Sequence, residues 1–382
     1  MKGFKDTKIY VEGKGIIKTS LSVENGKIAS IGEVVKDYYE LPDDAVVVPG
    51  FIDEHIHGSA GSDAMDASSE ALKNIATSIA CEGTVGFLAT TMTQSREKIM
   101  NAMNAVNEYK SAAVEEGAEV LGVHLEGPFI NKSKAGAQPE EYICTPSVEI
   151  FKEFNEASGN NIKIVTFAPE TQNGNDFVTY LSQNGICAQM GHTSATFDIA
   201  SKAYEDGATG VTHTYNAQSA FTHREAGVVG AALLIDGLYT ELICDTIHVS
   251  VPAIKLLVKN KPLDKLILIT DAMRAKNLGD TISELGGQTV YVKNGEARLK
   301  DGTLAGSVLK MNDAIKNLVT KCGVPFTQAV DYATANPSKN LGIYDRLGSI
   351  KVGKDASFAI ISEKDYSVIA TIKNGKLIYS AK

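Results

Sequence analysis

The chain is predicted to be an α/β protein, a closed barrel of eight strands alternating with helices, with a small β-sandwich domain built from both termini. Three observations predict it. Short apolar runs centre near Ile52, Phe87, Val123, Val165, Cys187, Val211, Ile243 and Leu268, and helical patterns separate most of them. Strands alternating with helices pair in parallel, and eight such units close into a (β/α)8 TIM barrel. Asn25-Gly26 and Asn374-Gly375 each join two β-prone runs near opposite ends of the chain. Asn-Gly is the strongest short hairpin signal, so both ends read as antiparallel strands of one small domain, two unrelated hairpins being the alternative. Finally, six of the seven histidines (His55, His57, His124, His192, His213 and His248) stand at the end of an apolar run or shortly after it. In a parallel barrel that position is one rim, where side chains distant in sequence meet.

The small domain is expected to take residues 1–49 plus 347–382, and the barrel residues 50–346. After the first run, Leu72, Ile75, Ala76 and Ile79 recur at helical spacing, with Ser68 or Ser69 as cap and Gly83 as stop. After the eighth, Met311, Ala314, Ile315, Leu318 and Val319 repeat the pattern behind Ser307. A hairpin around Asn294-Gly295 breaks the rhythm, an excursion near 285–305 expected to lie over the barrel mouth. An open doubly wound sheet is the competing architecture, but no G-x-G-x-x-G turn supports it.

With 382 residues and a net charge of −9, the chain can bury a large core and is a poor general binder of nucleic acid or anionic membrane. A small anionic substrate needs only a local positive cluster. The five cysteines are widely spaced and form no C-x-x-C pair, which fits a reduced cytoplasmic protein. The first residues lack the apolar core of a signal peptide, and no run is long enough to span a bilayer.

His55 and His57 are separated by one residue at a strand end, so both imidazoles point to one side and can share a metal. H-x-H alone is a weak signal; the apolar strand and Pro49-Gly50-Phe51-Ile52-Asp53 before it strengthen it. Glu126 directly follows a buried-strand pattern and precedes Gly127-Pro128, so it needs a partner: a metal, possibly shared, or an arginine at the rim. His192 and His213, read singly, could equally be satisfied core residues; together with Glu126 they form a two-histidine, one-carboxylate set that leaves a zinc position open to water. Asp271 ends the eighth run and reads as a further ligand, a proton carrier, or a helix cap. Lys163 opens its strand rather than ending it, so no modified-lysine bridge is expected. Arg224 and His248 are cationic candidates for phosphate or carboxylate, although Arg224 taken alone is more often a surface residue.

The segment Pro49-Gly50-Phe51-Ile52-Asp53-Glu54-His55-Ile56-His57-Gly58 resembles the strand-one motif of the amidohydrolase superfamily. His124-Leu125-Glu126-Gly127-Pro128-Phe129, Met190-Gly191-His192-Thr193, Thr212-His213-Thr214-Tyr215-Asn216-Ala217 and Thr270-Asp271-Ala272-Met273 are similar, in order, to its branch that deacetylates amino-sugar phosphates. The likeness runs over nearly the whole chain, through Gly302-Thr303-Leu304-Ala305-Gly306-Ser307 to Gly348-Ser349-Ile350. It implies hydrolysis of the acetamide of a small sugar phosphate by one or two divalent metals per subunit, with zinc favoured over iron, cobalt or manganese. By the resemblance, Glu126, His192 and His213 hold the main metal, His55 and His57 a second, and Asp271 is general base and then acid. Substrate contacts fall on Ala137, Gln138, Asn216, Ala217, Arg224, Asp245, Thr246, Ile247, His248, Leu304, Ala305 and Gly306. Arg224 and His248 would grip the phosphate, the arginine entering from the partner of a homodimer. Gln138 stands where some members have a histidine, and Ser357 where the closing Gly-Lys-Asp-Ala motif usually continues with aspartate. The rival readings are a D-aminoacylase, dihydroorotase or deaminase, and a barrel that binds without catalysing.

Overall fold

The computed structural model describes residues 3–381. Eight parallel strands form the central sheet in sequential order: β1 (Phe51–Ile56), β2 (Thr84–Thr91), β3 (Glu119–Glu126), β4 (Ile162–Phe167), β5 (Cys187–Met190), β6 (Gly210–Val211), β7 (Tyr239–Ile243) and β8 (Leu266–Ile269). These are the eight runs expected. The seam between β8 and β1 closes at its C-terminal end, where Asp271 N donates to His55 O at 2.8 Å and His57 N to Ala272 O at 2.9 Å. Lower down, the buried Asp53 carboxylate takes over as acceptor from Thr270 N and Thr270 Oγ1 at 3.2 and 2.5 Å. Closure removes the exposed strand edges that an open sheet must protect.

Helices between the strands turn apolar stripes onto the barrel. The first, Ser69–Ile79, buries Leu72, Ile75, Ala76 and Ile79; Ser68 Oγ accepts from Ala71 N as its cap, and Gly83 ends the segment in the left-handed region at φ 86°. The last expected helix differs. Met311–Asn317 is α-helical and continues as a π-turn over Leu318–Cys322. Ser307 does not cap it, because its hydroxyl is committed to Thr270 O at 2.5 Å and Leu309 N at 3.0 Å.

Both termini build one β-rich domain. Its seven strands run Lys376–Ser380, Val368–Lys373, Phe358–Ser362, Ala45–Pro49, Phe4–Val11, Gly15–Glu24, Lys27–Ile31 across a single hydrogen-bonded sheet. The two layers of the expected sandwich are therefore halves of one curled sheet, whose end hairpins meet where Gly26 lies against Asn374. All pairs are antiparallel except Phe4–Val11 with Ala45–Pro49, which pair in parallel because a long connection, not a hairpin, joins them. Asn25, Gly26, Asn374 and Gly375 all have φ between 50° and 75°, as a two-residue type I′ turn requires. The chain passes into the barrel at Gly50, where a Cβ would stand 2.3 Å from Val85 Cγ1. That close approach accounts for glycine before β1.

The excursion is a three-stranded antiparallel sheet, Thr281–Leu285, Gln288–Lys293 and Glu296–Arg298, one strand more than the expected hairpin. Leu285, Val290, Val292 and Ala297 pack with Met92, Met273 and Ala305 beside the barrel mouth. Among the described residues no helix is long and apolar enough to cross a membrane.

Candidate metal centre and substrate cavity

Two triads of side chains meet at the C-terminal rim: Glu126 with His192 and His213, and His55 with His57 and Asp271. Strand geometry brings them there. His55 and His57 lie two residues apart, and Glu126, His192, His213 and Asp271 end, or closely follow, β3, β5, β6 and β8. His192, His213 and Asp271 hold φ at 48°, 31° and 48°, a left-handed backbone that non-glycine residues seldom adopt. Such strain persists where surrounding structure enforces it, and it turns these side chains inward off the strand ends.

In the first triad, Glu126 Oε1 is 3.2 Å from His192 Nε2 and 3.1 Å from His213 Nε2, and the two nitrogens are 3.1 Å apart. In the second, His57 Nε2 lies 3.2 Å from Asp271 Oδ1 and His55 Nε2 3.5 Å from the same atom. Glu126 Oε2 reaches the second triad, 3.2 Å from His57 Nε2, so this carboxylate faces both.

The protonation pattern shows what the triads fit. His192 Nδ1 sits 2.7 Å from Lys134 O and His57 Nδ1 3.2 Å from Thr90 O. A carbonyl only accepts, so both nitrogens donate, and in the neutral rings the Nε2 lone pairs point into the site. His55 Nδ1 likewise donates to Glu241 Oε2 at 3.0 Å, leaving His55 Nε2 buried without a hydrogen-bond partner. Lone pairs facing carboxylate oxygens repel unless a cation lies between them, and two protonated nitrogens would not face each other at 3.1 Å. Metal-bound imidazoles characteristically tie their far nitrogen to a carbonyl or carboxylate in this way. Tetrahedral arms of about 2.0–2.2 Å also imply ligand separations of roughly 3.3–3.6 Å, close to those observed. The residues therefore fit a divalent metal.

The surrounding carboxylates call for a positive charge at these rings, which either a proton or a metal supplies. Burial alone would lower the His55 pKa, but Glu241, Glu126 and Asp271 overcome it and push it up to about 9. Burial would raise Asp271, yet His55 and His57 hold it down to about 2. Glu126 is held well below the usual carboxylate range by His55, His192, His213 and His57 against the opposing effect of burial.

Above the triads lies a cavity of about 340 Å³, walled by His57, Glu126, His192, His213 and Asp271 together with Ala137, Gln138, Asn216, Ala217, His248, Leu304 and Gly306. Of the expected substrate contacts, Asp245, Thr246, Ile247 and Ala305 are not among the residues that line this cavity. Asp245 has a clear supporting part: its carboxylate accepts from Ile247 N and His248 N at 2.8 Å each and from His248 Nδ1 at 2.6 Å. Burial opposes charge on His248, but Asp245 raises its pKa above the ordinary value and favours the cation. Arg224 is not brought in. It is exposed on the Thr222–Glu225 turn and does not line this chain's cavity. Gln138 does two jobs, donating Nε2 to Glu126 Oε2 at 2.8 Å and accepting from Thr93 N at 2.7 Å.

Two features escaped sequence reasoning. His124 is not at the rim; it lies two residues before Glu126 on the same inward face, one layer down, bonded to Glu54 O and Thr166 Oγ1. Glu241, midway along β7, is completely buried and joins both triads, accepting from His55 Nδ1 and, at 3.1 Å, from His213 N. The signal was present: a lone acid in Tyr239-Thr240-Glu241-Leu242-Ile243 has no solvent to face if that strand is enclosed.

Comparison with known proteins agrees with this architecture. The amidohydrolase family model matches residues 46–378. The N-acetylglucosamine-6-phosphate deacetylase of Bacillus subtilis is 44% identical over 99% of this chain and 97% of its own length. The N-acetylgalactosamine-6-phosphate deacetylase of Escherichia coli O157:H7 is 34% identical, covering 88% of this chain and 89% of its own. The crystal structure of N-acetylglucosamine-6-phosphate deacetylase from Pasteurella multocida superposes over the full length of both chains with a TM-score of 0.92 at 31% identity. The structure of a mutant of the Mycobacterium smegmatis deacetylase, in complex with N-acetyl-D-glucosamine-6-phosphate, does so at 0.90 and 25%. With two buried triads able to hold metal at the mouth of a (β/α)8 barrel and a family match over most of its length, this chain belongs to the amidohydrolase family.

Proposed function

We propose that the protein hydrolyses the acetamide of N-acetyl-D-glucosamine 6-phosphate, releasing acetate and D-glucosamine 6-phosphate, in the breakdown and recycling of amino sugars. The observation that carries this reading is the pair of facing triads at the floor of a cavity whose wall bears His248, a histidine whose pKa Asp245 raises. The relatives' shared activity supplies the substrate class. Glu126, His192 and His213 hold the main metal, and His55 and His57 a second; the nitrogen-rich set favours zinc, with iron, cobalt or manganese as replacements.

A divalent metal bound there supplies an acidified water and a polarised carbonyl. The chain's own residues do the rest. Asp271 Oδ1, beside His55 and His57, accepts the proton of the attacking water and returns it to the departing amine. Gln138 and Thr93 hold Glu126 in orientation. Leu285, the last residue of the first excursion strand, and Leu304, beyond the sheet, add apolar surface to the cavity wall. His248, kept charged by Asp245, faces the phosphate end of the substrate. Arg224, exposed in one subunit, completes phosphate recognition in the cavity of the other subunit of a homodimer. The protein acts in the cytoplasm.

The deciding assay measures acetate release from N-acetylglucosamine 6-phosphate, N-acetylgalactosamine 6-phosphate and the plain N-acetylhexosamines, beside elemental analysis of the purified protein. Strong preference for the phosphorylated glucosamine derivative with bound metal is expected. Equal rates on phosphorylated and plain sugars would remove the phosphate assignment, and no acetate from any would remove the activity.

A further inference from the structure

A second cavity, about 380 Å³, opens at the opposite end of the barrel, between the last turn of helix Arg96–Ser111, the start of β3 and the turn after strand Val368–Lys373. Four cations line it: Lys110, Arg346, Lys373 and Lys376. Two are already matched. Arg346 forks onto Glu119 at 2.7 and 2.9 Å, and Lys376 pairs with Glu115. Among the described residues, Lys110 has only carbonyl partners, Val120 O at 2.9 Å and Leu121 O at 3.2 Å, and no carboxylate within ion-pair distance. Lys373 is 8% exposed and, among the described residues, makes no hydrogen bond and no ion pair. Tyr109, 4% exposed, lines the same space with a hydroxyl that is buried and unpartnered.

Buried cations and hydroxyls are normally satisfied, because an unpaired one has given up its water without a replacement. Here two lysines without a paired carboxylate and a free phenol converge on one cavity, in a chain whose net charge is −9. Burial lowers the Lys373 pKa although Glu119 and Glu115, each already paired with another cation, act on it in the opposite direction. A monocarboxylate would match one positive charge; a phosphate monoester, dianionic near neutral pH, matches both and accepts from the phenol. We infer that this cavity is a binding site for a small phosphate monoester, held by Lys110, Lys373 and Tyr109 and separate from the metal cavity.

Equilibrium dialysis with inorganic phosphate, run on the full-length metal-loaded protein, tests it. One saturable phosphate is expected to depend on these residues: Lys373→Met weakens it at least tenfold, and Tyr109→Phe, which removes one oxygen and keeps the packing, at least threefold. Turnover and KM of the proposed deacetylation stay at wild-type values in both variants, which separates this site from any phosphate bound near His248. Acetate at equal ionic strength is expected not to compete. Wild-type phosphate stoichiometry and affinity in both variants would overturn the inference, as would loss of all phosphate binding on His248→Asn alone.

Discussion

Glu241 Oε2 lies 3.0 Å from His55 Nδ1, and this contact decides which nitrogen of the His55 ring faces the metal cavity. The same oxygen accepts from His213 N, so one buried carboxylate braces a member of each triad. Removing its charge should therefore loosen the second metal first. In Glu241→Gln, metal affinity at the His55–His57 pair is expected to fall about 10–100-fold, the range typical for loss of such a bracing contact. Stoichiometry by elemental analysis after dialysis should drop towards one ion per subunit. Unchanged stoichiometry and affinity would show that Glu241 has no such part.

Asp271→Asn should reduce turnover by orders of magnitude while the Glu126–His192–His213 site keeps its metal. The amide cannot accept the water's proton, yet it occupies the same volume. Near-normal turnover in that variant would refute the proton-transfer role.

Gln138→Leu leaves Thr93 N and Glu126 Oε2 without their partner in a buried place. A loss of about 1–3 kcal/mol in stability is expected, with weaker metal retention because Glu126 is no longer held. Denaturant unfolding of the metal-loaded protein measures the first and chelator titration the second.

Phosphate recognition should carry a pH signature. Asp245 raises the His248 pKa, so the cation is present below that raised value and is lost as pH climbs through it. KM for the phosphorylated substrate should rise on the alkaline side, and Asp245→Asn should move that rise to lower pH. An unchanged profile in Asp245→Asn would separate Asp245 from phosphate binding. Arg224→Ala should impair the phosphorylated sugar far more than its plain analogue; equal losses on both would exclude Arg224 from phosphate recognition.

The barrel and the six side chains of the two triads were legible in the sequence because each of the six sits at a punctuation point, an apolar run ending in His, Glu or Asp. The terminal domain was legible through its Asn-Gly turns. What was hidden lies inside strands or depends on long connections. Glu54 and Glu241 interrupt apolar runs without marking an end, and only enclosure reveals that Glu54 must be met by Asn340 and Gln189. The parallel pairing of Phe4–Val11 with Ala45–Pro49 has no local signal, since no turn joins those strands. The first strand of the excursion sheet, Thr281–Leu285, ends in Gly286-Gly287, both at positive φ, a turn signal as good as the one around Asn294-Gly295.

The central claim is that side chains from several distant places in the chain enclose a cation at the open end of the barrel. Anomalous diffraction from crystals grown with the metal found by elemental analysis tests it directly. The account predicts a peak at about 2.0–2.2 Å from Glu126 Oε1, His192 Nε2 and His213 Nε2. A metal-loaded protein whose only peak lies away from these three atoms would contradict it.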